Sequence, residues 1–223
     1  MNWSPILISM RTASVSILIT FFLGLFAARW VAGMKNRWGK IMLDGFFTLP
    51  LVLPPTVAGF FLLLIFGANR PVGRFFLEFF SVRIAFSWVA TVLAAVVISF
   101  PLMYRSARGA LEQVDENLAY AARTLGMSER SIFWTVIFPA ALPGIAASGV
   151  LAFARGLGEF GATIMIAGNI AGRTRTLPLS VYSSTVAGDM QSAYFYVAVI
   201  VAISFVVVAL MNYFSINKRR SGG

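Results

Sequence analysis

The sequence contains no cysteine and no histidine, and this absence removes the side chains that most catalytic and metal sites use. Disulfides, thiol chemistry and the commonest zinc ligands are excluded. Nucleophile pairs of the Ser–His and Cys–His kinds are impossible. Acidic residues number only eight among 223, so a relay of protons between carboxylates has little material. A catalytic function is therefore disfavoured.

Charge of either sign is also scarce. Only 12% of the residues are charged and 59% are hydrophobic, whereas soluble domains carry about 25% charged residues. The mean hydropathy is +0.83. Runs of about 18 or more apolar residues can cross a bilayer, and five uncharged stretches are near or above that length: 12–28, 45–69, 84–104, 131–154 and 190–217. The sequence predicts an all-α polytopic membrane protein, one domain over residues 1–223 with about five transmembrane helices.

The predicted spans cover residues 5–31, 41–66, 84–104, 141–166 and 194–216. No positively charged residue precedes Arg11, and Arg29 follows the first apolar run at once, a pattern that favours a retained span over a cleaved signal peptide. Residues 176–187 are too short and too polar to cross. We expect a helix there that lies at the outer surface or dips inward.

Lysine and arginine are distributed unevenly between the two sides of this topology. Eleven fall on one side: Arg29, Lys35, Arg37, Lys40, Arg105, Arg108, Arg123, Arg130, Lys218, Arg219 and Arg220. Six fall on the other: Arg11, Arg70, Arg74, Arg83, Arg173 and Arg175. Because cytoplasmic loops are enriched in basic residues, we expect the N-terminus outside and the C-terminus in the cytoplasm. The same enrichment explains the net charge of +10 without a nucleic-acid partner.

The cytoplasmic loop between the third and fourth spans, at about 107–139, has helical signals of its own. Asp115 can cap a helix whose first turn contains an acidic residue, Glu116. Gly126 can end that helix at positive φ. Ser128 can cap a second short helix, which we expect Pro139 to end. The loop is predicted to form two short helices joined by a tight glycine turn.

The same loop resembles a motif of importer permeases of the ATP-binding-cassette class, which reads Glu-Ala-Ala, three residues, Gly, nine residues, then Ile-x-Leu-Pro. Val136 and Phe138 are mild changes from that pattern, whereas Tyr120 replaces the usual glutamate. The resemblance implies a coupling helix that docks into a cleft of an ATPase subunit. It assigns the coupling role to Ala121, Ala122, Gly126, Met127, Ser128, Arg130 and Pro139.

Most of the chain, from about residue 5 to about 216, resembles the molybdate-type permeases, which are relatives of the sulfate permeases. The similar stretches include 49–59, 99–103 and 151–163. The resemblance implies a type I importer permease of an inner membrane. Its expected partners are a second copy of the chain, ATPase subunits, an extracytoplasmic binding protein and membrane lipid. Residues 174–178 favour molybdate slightly, and tungstate and sulfate stay open.

The chain has no Gly-x-x-x-x-Gly-Lys-Ser/Thr loop, so it cannot hydrolyse ATP by itself. The resemblance therefore implies alternating access driven by ATP and Mg²⁺ on the partner ATPase, with no cofactor bound by this chain. One alternative is a membrane-embedded enzyme, which would need a catalytic cluster that the composition does not supply. Another is a stand-alone ion-coupled carrier, although we find no internal repeat.

Two features inside the spans are candidates for a translocation path or gate. The first is the proline pair Pro54 and Pro55 in the second span, because interior prolines break a helix. Broken backbone at membrane depth survives only where it is buried in protein or lines a wet cavity. The pair marks either a break beside a translocation path or a packing kink near the start of the span.

The second feature is the pair Arg155 and Glu159, four residues apart in the fourth span. Charges inside a membrane usually face the bundle interior or a cavity. The two side chains can form an internal ion pair, the interpretation that we favour, or Arg155 can lend positive potential to an anion path. Gly158 and Gly161 beside them provide close helix approach or flexibility at a gate.

Overall fold

The computed structural model describes residues 2–220, with side chains through Ala209, and every regular element in that range is a helix. The elements are α1 (Ser4–Ala32), α2 (Arg37–Val52), α3 (Pro55–Phe66), α4 (Pro71–Phe80), α5 (Trp88–Glu112), α6 (Glu116–Thr124), α7 (Glu129–Ile132), a π-helical turn (Phe133–Ile137), α8 (Phe138–Leu157), α9 (Gly161–Ala167), α10 (Leu177–Val186) and α11 (Met190–Arg220).

Four helical segments are long and apolar enough to cross a membrane: Ser4–Ala32, Trp88–Glu112, Glu129–Leu157 and Met190–Ala209. The pair α2 and α3 passes the same test of length and composition when the two helices are taken together as one span, which is bent by 111° at the break between them. The predicted all-α polytopic fold with about five spans is therefore confirmed.

The centre of the bundle is a parallel contact between α1 and α5. Hydroxyl pairs join them at two levels, Thr12 to Thr91 at 2.8 Å and Thr20 to Ser99 at 3.2 Å. Further along, a Cβ atom added to Gly24 would lie 2.6 Å from Cγ of Met103. Small and hydroxyl residues let helix backbones approach closely in lipid, where apolar surface alone does not hold helices together.

The remaining crossings alternate in direction around this contact. α8 runs antiparallel to α5, because Gly144 lies against Ala110 near one end and Gly156 against Ala95 near the other. The start of α11 lies beside the start of α1, where the Tyr196 hydroxyl donates to the carbonyl of Asn2 at 3.0 Å. One face of the protein therefore carries α4 and α10, and the opposite face carries α6 and α7. We call these the α4–α10 side and the α6–α7 side.

The third span differs from its predicted bounds of 84–104, since α5 begins at Trp88 and continues to Glu112. Phe86 adopts a φ of 60°, which no right-handed helix contains, so the helix cannot start before it. Beyond the apolar run, the helix is extended by the ion pair between Arg108 and Glu112, 2.8 Å apart and four residues apart.

The fourth span differs more from its predicted bounds of 141–166. The crossing begins earlier, at Glu129, and the predicted range joined α8 to the separate helix α9. α7 continues through the π-helical turn into α8, so the expectation that Pro139 ends a short helix is wrong. In the π turn the N–H of Phe138 donates to the carbonyl of Phe133, and this wider turn leaves room for the proline ring that an α-helical turn would crowd. The crossing ends at Leu157, and α9 begins anew at Gly161.

The predicted outer helix at 176–187 is present as α10, Leu177–Val186, and its start is buried rather than solvated. The N–H of Leu177 donates to Oγ of Ser9 in α1 at 2.7 Å, and the Leu177 and Leu179 side chains are fully buried. α10 therefore packs onto the starts of α1 and α11 instead of floating at the surface.

Five crossings place the start of α1 and the end of α11 on opposite sides of the membrane. A reporter fused ahead of Ser4 and one fused after Arg220 should give opposite sidedness in cells, with the Arg220 fusion in the cytoplasm. The same sidedness at both positions would mean that the bent pair α2–α3 does not cross.

Candidate functional site

The loop on the α6–α7 side forms a capped helical hairpin. The Asp115 side chain accepts the N–H of Asn117 at 2.9 Å and caps the start of α6. At its end Gly126 adopts a φ of 77°. The N–H of Gly126 donates to the backbone carbonyl of Arg123, and the N–H of Met127 donates to the backbone carbonyl of Ala122. These are the two hydrogen bonds of a Schellman turn. The predicted helix, glycine turn and second helix start are therefore all present.

The two sides of α6 have different neighbours. Ala119 and Ala122 are buried against Ile132 of α7, with Met127 packed beside them. The motif assigns both adjacent alanines to the coupling role, but in the structure Ala122 packs inward and only Ala121 is exposed. Ala121 lies between Leu118 and Leu125, which are also exposed, and Leu125 has 81% of its surface exposed. These three residues, three and four positions apart, form an apolar ridge on the outer side of α6.

A forked ion pair closes the mouth of the hairpin, which the sequence did not reveal. Nε and Nη2 of Arg123 donate to the two carboxylate oxygens of Glu129 at 2.6 and 3.0 Å. Hydrogen bonding to Glu129 raises the pKa of the Arg123 guanidinium above its ordinary value. Tyr120, where the motif usually has glutamate, is exposed. Cζ of Arg123 lies over its ring, 5.4 Å from the ring centroid. The hairpin thus holds its shape without the missing glutamate.

The remaining assigned residues lie around the start of α7. Oγ of Ser128 accepts the N–H of Ser131 at 3.3 Å, which is the predicted cap. Arg130 is exposed. Pro139 lies ten residues after Glu129, the first residue of α7, and is in the first turn of α8. Ser128 and Arg130 therefore belong to the hairpin, whereas Pro139 belongs to the crossing helix that continues from it.

A cation–π contact connects the hairpin to the first span. Cζ of Arg29, in the last turn of α1, lies 3.5 Å from the ring centroid of Phe133 in the π turn. Nη1 of Arg29 is buried, and the described residues provide it with no hydrogen-bond partner. The attraction between the guanidinium and the face of the Phe133 ring therefore offsets part of the cost of burying this nitrogen. A displacement of the π turn would consequently disturb this contact and the position of the end of α1.

The two helix breaks lie against each other. The proline break separates α2 from α3, and the second break separates α8 from α9 at Gly158–Phe160. A Cβ on Gly161 would lie 2.9 Å from Cβ of Pro55, and a Cβ on Gly59 would lie 2.6 Å from Cα of Ala162. The structure therefore brings Pro55 and Gly161 together, two residues that the sequence selected separately.

Arg155 and Glu159 form the expected ion pair, with Nη1 of Arg155 donating to Oε2 of Glu159 at 2.8 Å. Glu159 lies one residue past the exposed Gly158 and outside α8, so the expectation that the pair shares one helix is corrected. Its other oxygen accepts the N–H of Ala162 at 2.7 Å. This N–H lies in the first turn of α9, where backbone donors have no acceptor within the helix. The carboxylate is 2% exposed and the arginine side chain 33% exposed. Glu159 therefore stabilises the break, while Arg155 faces more open space.

A second polar cluster, on the α6–α7 side, was not identified from the sequence. Asp44 in α2 pairs with Arg108 in α5 and accepts the Tyr104 hydroxyl, while Lys40 and Arg108 both donate to Glu112. The cluster ties the start of α2 to the end of α5. A cavity of ≈ 380 Å³ lies beside it, lined by Asp44, Gly45, Thr48, Tyr104, Arg105, Arg108, Gly109 and Glu112. The described residues contain no cluster that could hold a metal ion.

Comparison with known proteins agrees with this arrangement. The family described as "Binding-protein-dependent transport system inner membrane component" matches residues 4–220, almost the entire chain. The chain belongs to this family. It is accordingly a transporter subunit of an inner membrane rather than an enzyme, and the predicted recognition of an importer permease is confirmed.

Relatives with similar sequences are molybdenum transport permeases. The chain is 41% identical to the molybdenum transport system permease protein ModB of Escherichia coli strain K12, over 99% of this chain and 97% of the relative. It is 45% identical to ModB of Haemophilus influenzae over 82% of this chain and 80% of the relative. A putative molybdenum permease, YvgM of Bacillus subtilis, is 39% identical over 92% of this chain and 90% of the relative.

Solved structures share the fold at low sequence identity. The MetNI methionine transporter in an inward-facing conformation has a TM-score of 0.66 at 16% identity, covering 94% of both chains. A bacterial alginate transporter in complex with its substrate-bound periplasmic protein has a TM-score of 0.74 at 13% identity, covering 95% of this chain and 77% of that chain. The type I importer permease fold is therefore confirmed.

The Arg155–Glu159 pair generates a testable expectation. Arg155→Met leaves a buried carboxylate unpaired, and because the arginine is partly exposed we expect a loss on the order of 2 kcal/mol in stability. Adding Glu159→Gln should restore the protein, since the amide oxygen still accepts the Ala162 N–H. Thermal unfolding of the purified variants in detergent measures both effects.

The exposed pair Arg74 and Glu78, also four residues apart and 3.1 Å apart, is the matched control. Arg74→Met should change the unfolding temperature little, because exposed pairs contribute little. Uptake is measured beside stability. A double variant at 155 and 159 that folds normally yet loses transport would show that Arg155 attracts the anion rather than serving only its partner.

Proposed function

We propose that this chain is the membrane-spanning permease subunit of an ATP-driven importer that carries molybdate across the inner membrane by alternating access. The observation that supports this most is the identity of 41% over 99% of the chain to a named molybdenum permease. The capped hairpin on the α6–α7 side supports it independently, since a permease without an ATPase motif of its own needs a surface on which an ATPase can act.

The apolar ridge of Leu118, Ala121 and Leu125 is the proposed contact with the ATPase subunit. These three apolar side chains on a short helix outside the membrane stay exposed in the described part of the chain, and they suit insertion into an apolar cleft. ATP and Mg²⁺ belong to that subunit. Closure of the ATPase pair would move the hairpin, and the continuous helix from α7 to α8 would carry that movement into the membrane.

The facing helix breaks are the proposed gate, and they also support a homodimer. Val52 is 82% exposed, and Pro54 and Thr56 are exposed as well, so the residues at and beside the break between α2 and α3 are uncovered in a single copy. Broken backbone at membrane depth must be buried in protein or face water. A second copy placed across this surface would satisfy that requirement and enclose a path between the two proline breaks.

The α4–α10 side is the proposed outer face, where a binding protein would deliver the anion. The excess of lysine and arginine on the α6–α7 side supports this orientation. Arg70 and Arg173 are exposed on the α4–α10 side and are candidates for contact with an acidic rim of the binding protein. Arg175 donates to Asn169 at 2.8 Å and is partly buried, so it contributes less to such a surface.

The anion itself is proposed from the relatives. A probable sulfate permease, cysT of Chlorokybus atmophyticus, is 32% identical over 96% of the chain, which is lower than the molybdenum permeases. Tungstate and molybdate are both tetrahedral dianions of closely similar chemistry, and residues 174–178 favour molybdate only slightly. Molybdate with tungstate as a competitor is therefore the proposal, and sulfate is the second candidate.

Uptake into proteoliposomes tests this function. Vesicles would contain the chain with the ATPase subunit of its transport system, ATP and Mg²⁺ inside, and a molybdate-loaded binding protein outside. Molybdenum should accumulate only when all three proteins and ATP are present, and tungstate but not sulfate should compete. Uptake without the ATPase would indicate an ion-coupled carrier, and uptake of sulfate alone would indicate a sulfate permease.

The turn at Gly126 tests the coupling step. A β-branched residue at its φ of 77° should introduce strain of about 1–3 kcal/mol. Space is not limiting, because an added Cβ would meet no atom within 4 Å. Gly126→Val should therefore misplace the ridge and reduce ATP-driven uptake, with the spans still inserted, whereas Gly126→Asn should retain uptake because asparagine tolerates positive φ.

Gly188, between α10 and α11, is the matched control. Its φ is 76° and an added Cβ would also meet no atom within 4 Å, but it lies on the opposite side of the membrane. Gly188→Val should introduce similar strain without loss of ATPase binding. If Gly126→Val retains both the ATPase on copurification and normal uptake, or if both valine variants lose them to the same extent, the hairpin turn is not the coupling element.

A further inference from the structure

Helix α4 is unusual in its concentration of aromatic residues. Four of its ten residues are phenylalanine, and they form two rows along the helix. The rings of Phe75 and Phe79 lie 4.8 Å apart, and those of Phe76 and Phe80 lie 5.7 Å apart. The polar side chains Arg74 and Glu78 pair with each other along a third row. The helix is therefore strongly amphipathic, with no net charge of its own.

Three of the four phenylalanines of α4 stay exposed in the described part of the chain. α4 is held to the end of α3 through Gly73, whose missing side chain lets the backbone pack against the carbonyl of Gly67. The phenyl rings point elsewhere: Phe79 is 72% exposed, Phe80 61% and Phe75 49%. A patch of large apolar side chains of this kind requires a cover.

The position of α4 indicates what the cover is. The parallel packing of α1 and α5 brings their starts to the same face, and α4 is joined to the start of α5 by residues 81–87. That face already carries exposed Trp3 at the start of α1 and exposed Tyr194 near the start of α11. Tryptophan and tyrosine at the ends of spans are typical of the boundary between the hydrocarbon core and water. α4 therefore lies at the level of that boundary.

We propose that α4 is an interfacial anchor that lies along the outer surface of the bilayer, with its phenyl rows in lipid and its Arg74–Glu78 row toward water. Two observations and one general property of amphipathic helices favour lipid over a protein partner. Helix α3, to which α4 is held, also has exposed large apolar side chains, Phe60, Phe61 and Leu64, and belongs to the bent pair α2–α3. The polar row neutralises itself and provides no net charge for a charged partner. Amphipathic helices with phenylalanine and leucine on one face lie in the plane of the interface with that face buried.

In this placement α4 would hold the end of α3 at a fixed depth in the membrane, next to the proposed gate. α4 begins five residues after α3 ends, and α3 follows the proline break directly. A helix anchored at the interface limits how far α3 can slide along the membrane normal. The bend at Pro54 and Pro55 then becomes the place where the second crossing changes shape.

The chain contains no cysteine, so single-cysteine variants can be spin-labelled without background. Phe79→Cys and Arg74→Cys place labels on opposite sides of α4. Each full-length variant would be reconstituted in nanodiscs of phosphatidylethanolamine and phosphatidylglycerol, and accessibility of the label to oxygen and to a water-soluble nickel chelate would be measured by electron paramagnetic resonance. Oxygen should relax the label at 79 more strongly, the nickel chelate should relax the label at 74 more strongly, and the depth parameter should change sign between them.

Other results would overturn the proposal. Greater relaxation by nickel at both positions would place α4 in water, and protection of position 79 from nickel only after addition of the binding protein would make that protein the cover. Low accessibility to both reagents together with dipolar coupling between two labels at position 79 would show that a second copy covers the helix. None of these outcomes depends on which anion is transported.

Discussion

The close contact between α1 and α5 is the interaction on which the rest of the protein depends. In lipid, apolar side chains gain little by touching each other, so helices associate through small residues and hydrogen bonds. Threonine and serine pairs at matched levels supply the hydrogen bonds, and Gly24 supplies the close approach. α8 then packs across both helices through Gly144 and Gly156. Parallel packing at this contact also determines which loops share a side.

The same physical constraint explains where irregular backbone occurs. A break in a crossing helix leaves peptide groups without partners, and hydrocarbon cannot supply any. Here the break at Pro54 packs against the break at Gly158–Phe160, and Glu159 accepts the free N–H of Ala162. A buried carboxylate in turn requires a cation, which Arg155 provides. The packing of these two breaks against each other thus accounts for Gly59 and Gly161, the Arg155–Glu159 pair and the proline pair together.

Continuity is as important as interruption on the opposite side. The hairpin around Gly126 is not an independent loop, because α7 runs through the π turn into α8 without a hinge. Arg29 stacks on Phe133 of that turn and connects it to α1. A force applied to α6 would therefore act on both α1 and α8, whereas the two breaks, between α2 and α3 and between α8 and α9, interrupt the helices elsewhere.

The sequence by itself determined the class, the approximate spans, the hairpin with its caps and turn, and the resemblance to importer permeases. These properties depend on local patterns: apolar run length, cap residues and the spacing around Gly126. Only the tertiary structure decided that Pro55 meets Gly161, that Ala122 faces inward, that Asp44 pairs with Arg108 and that Pro139 continues a helix. Each of those facts depends on residues distant in the chain or on a shift of hydrogen-bond register, and hydropathy, which sums residues one at a time, contains no information about either.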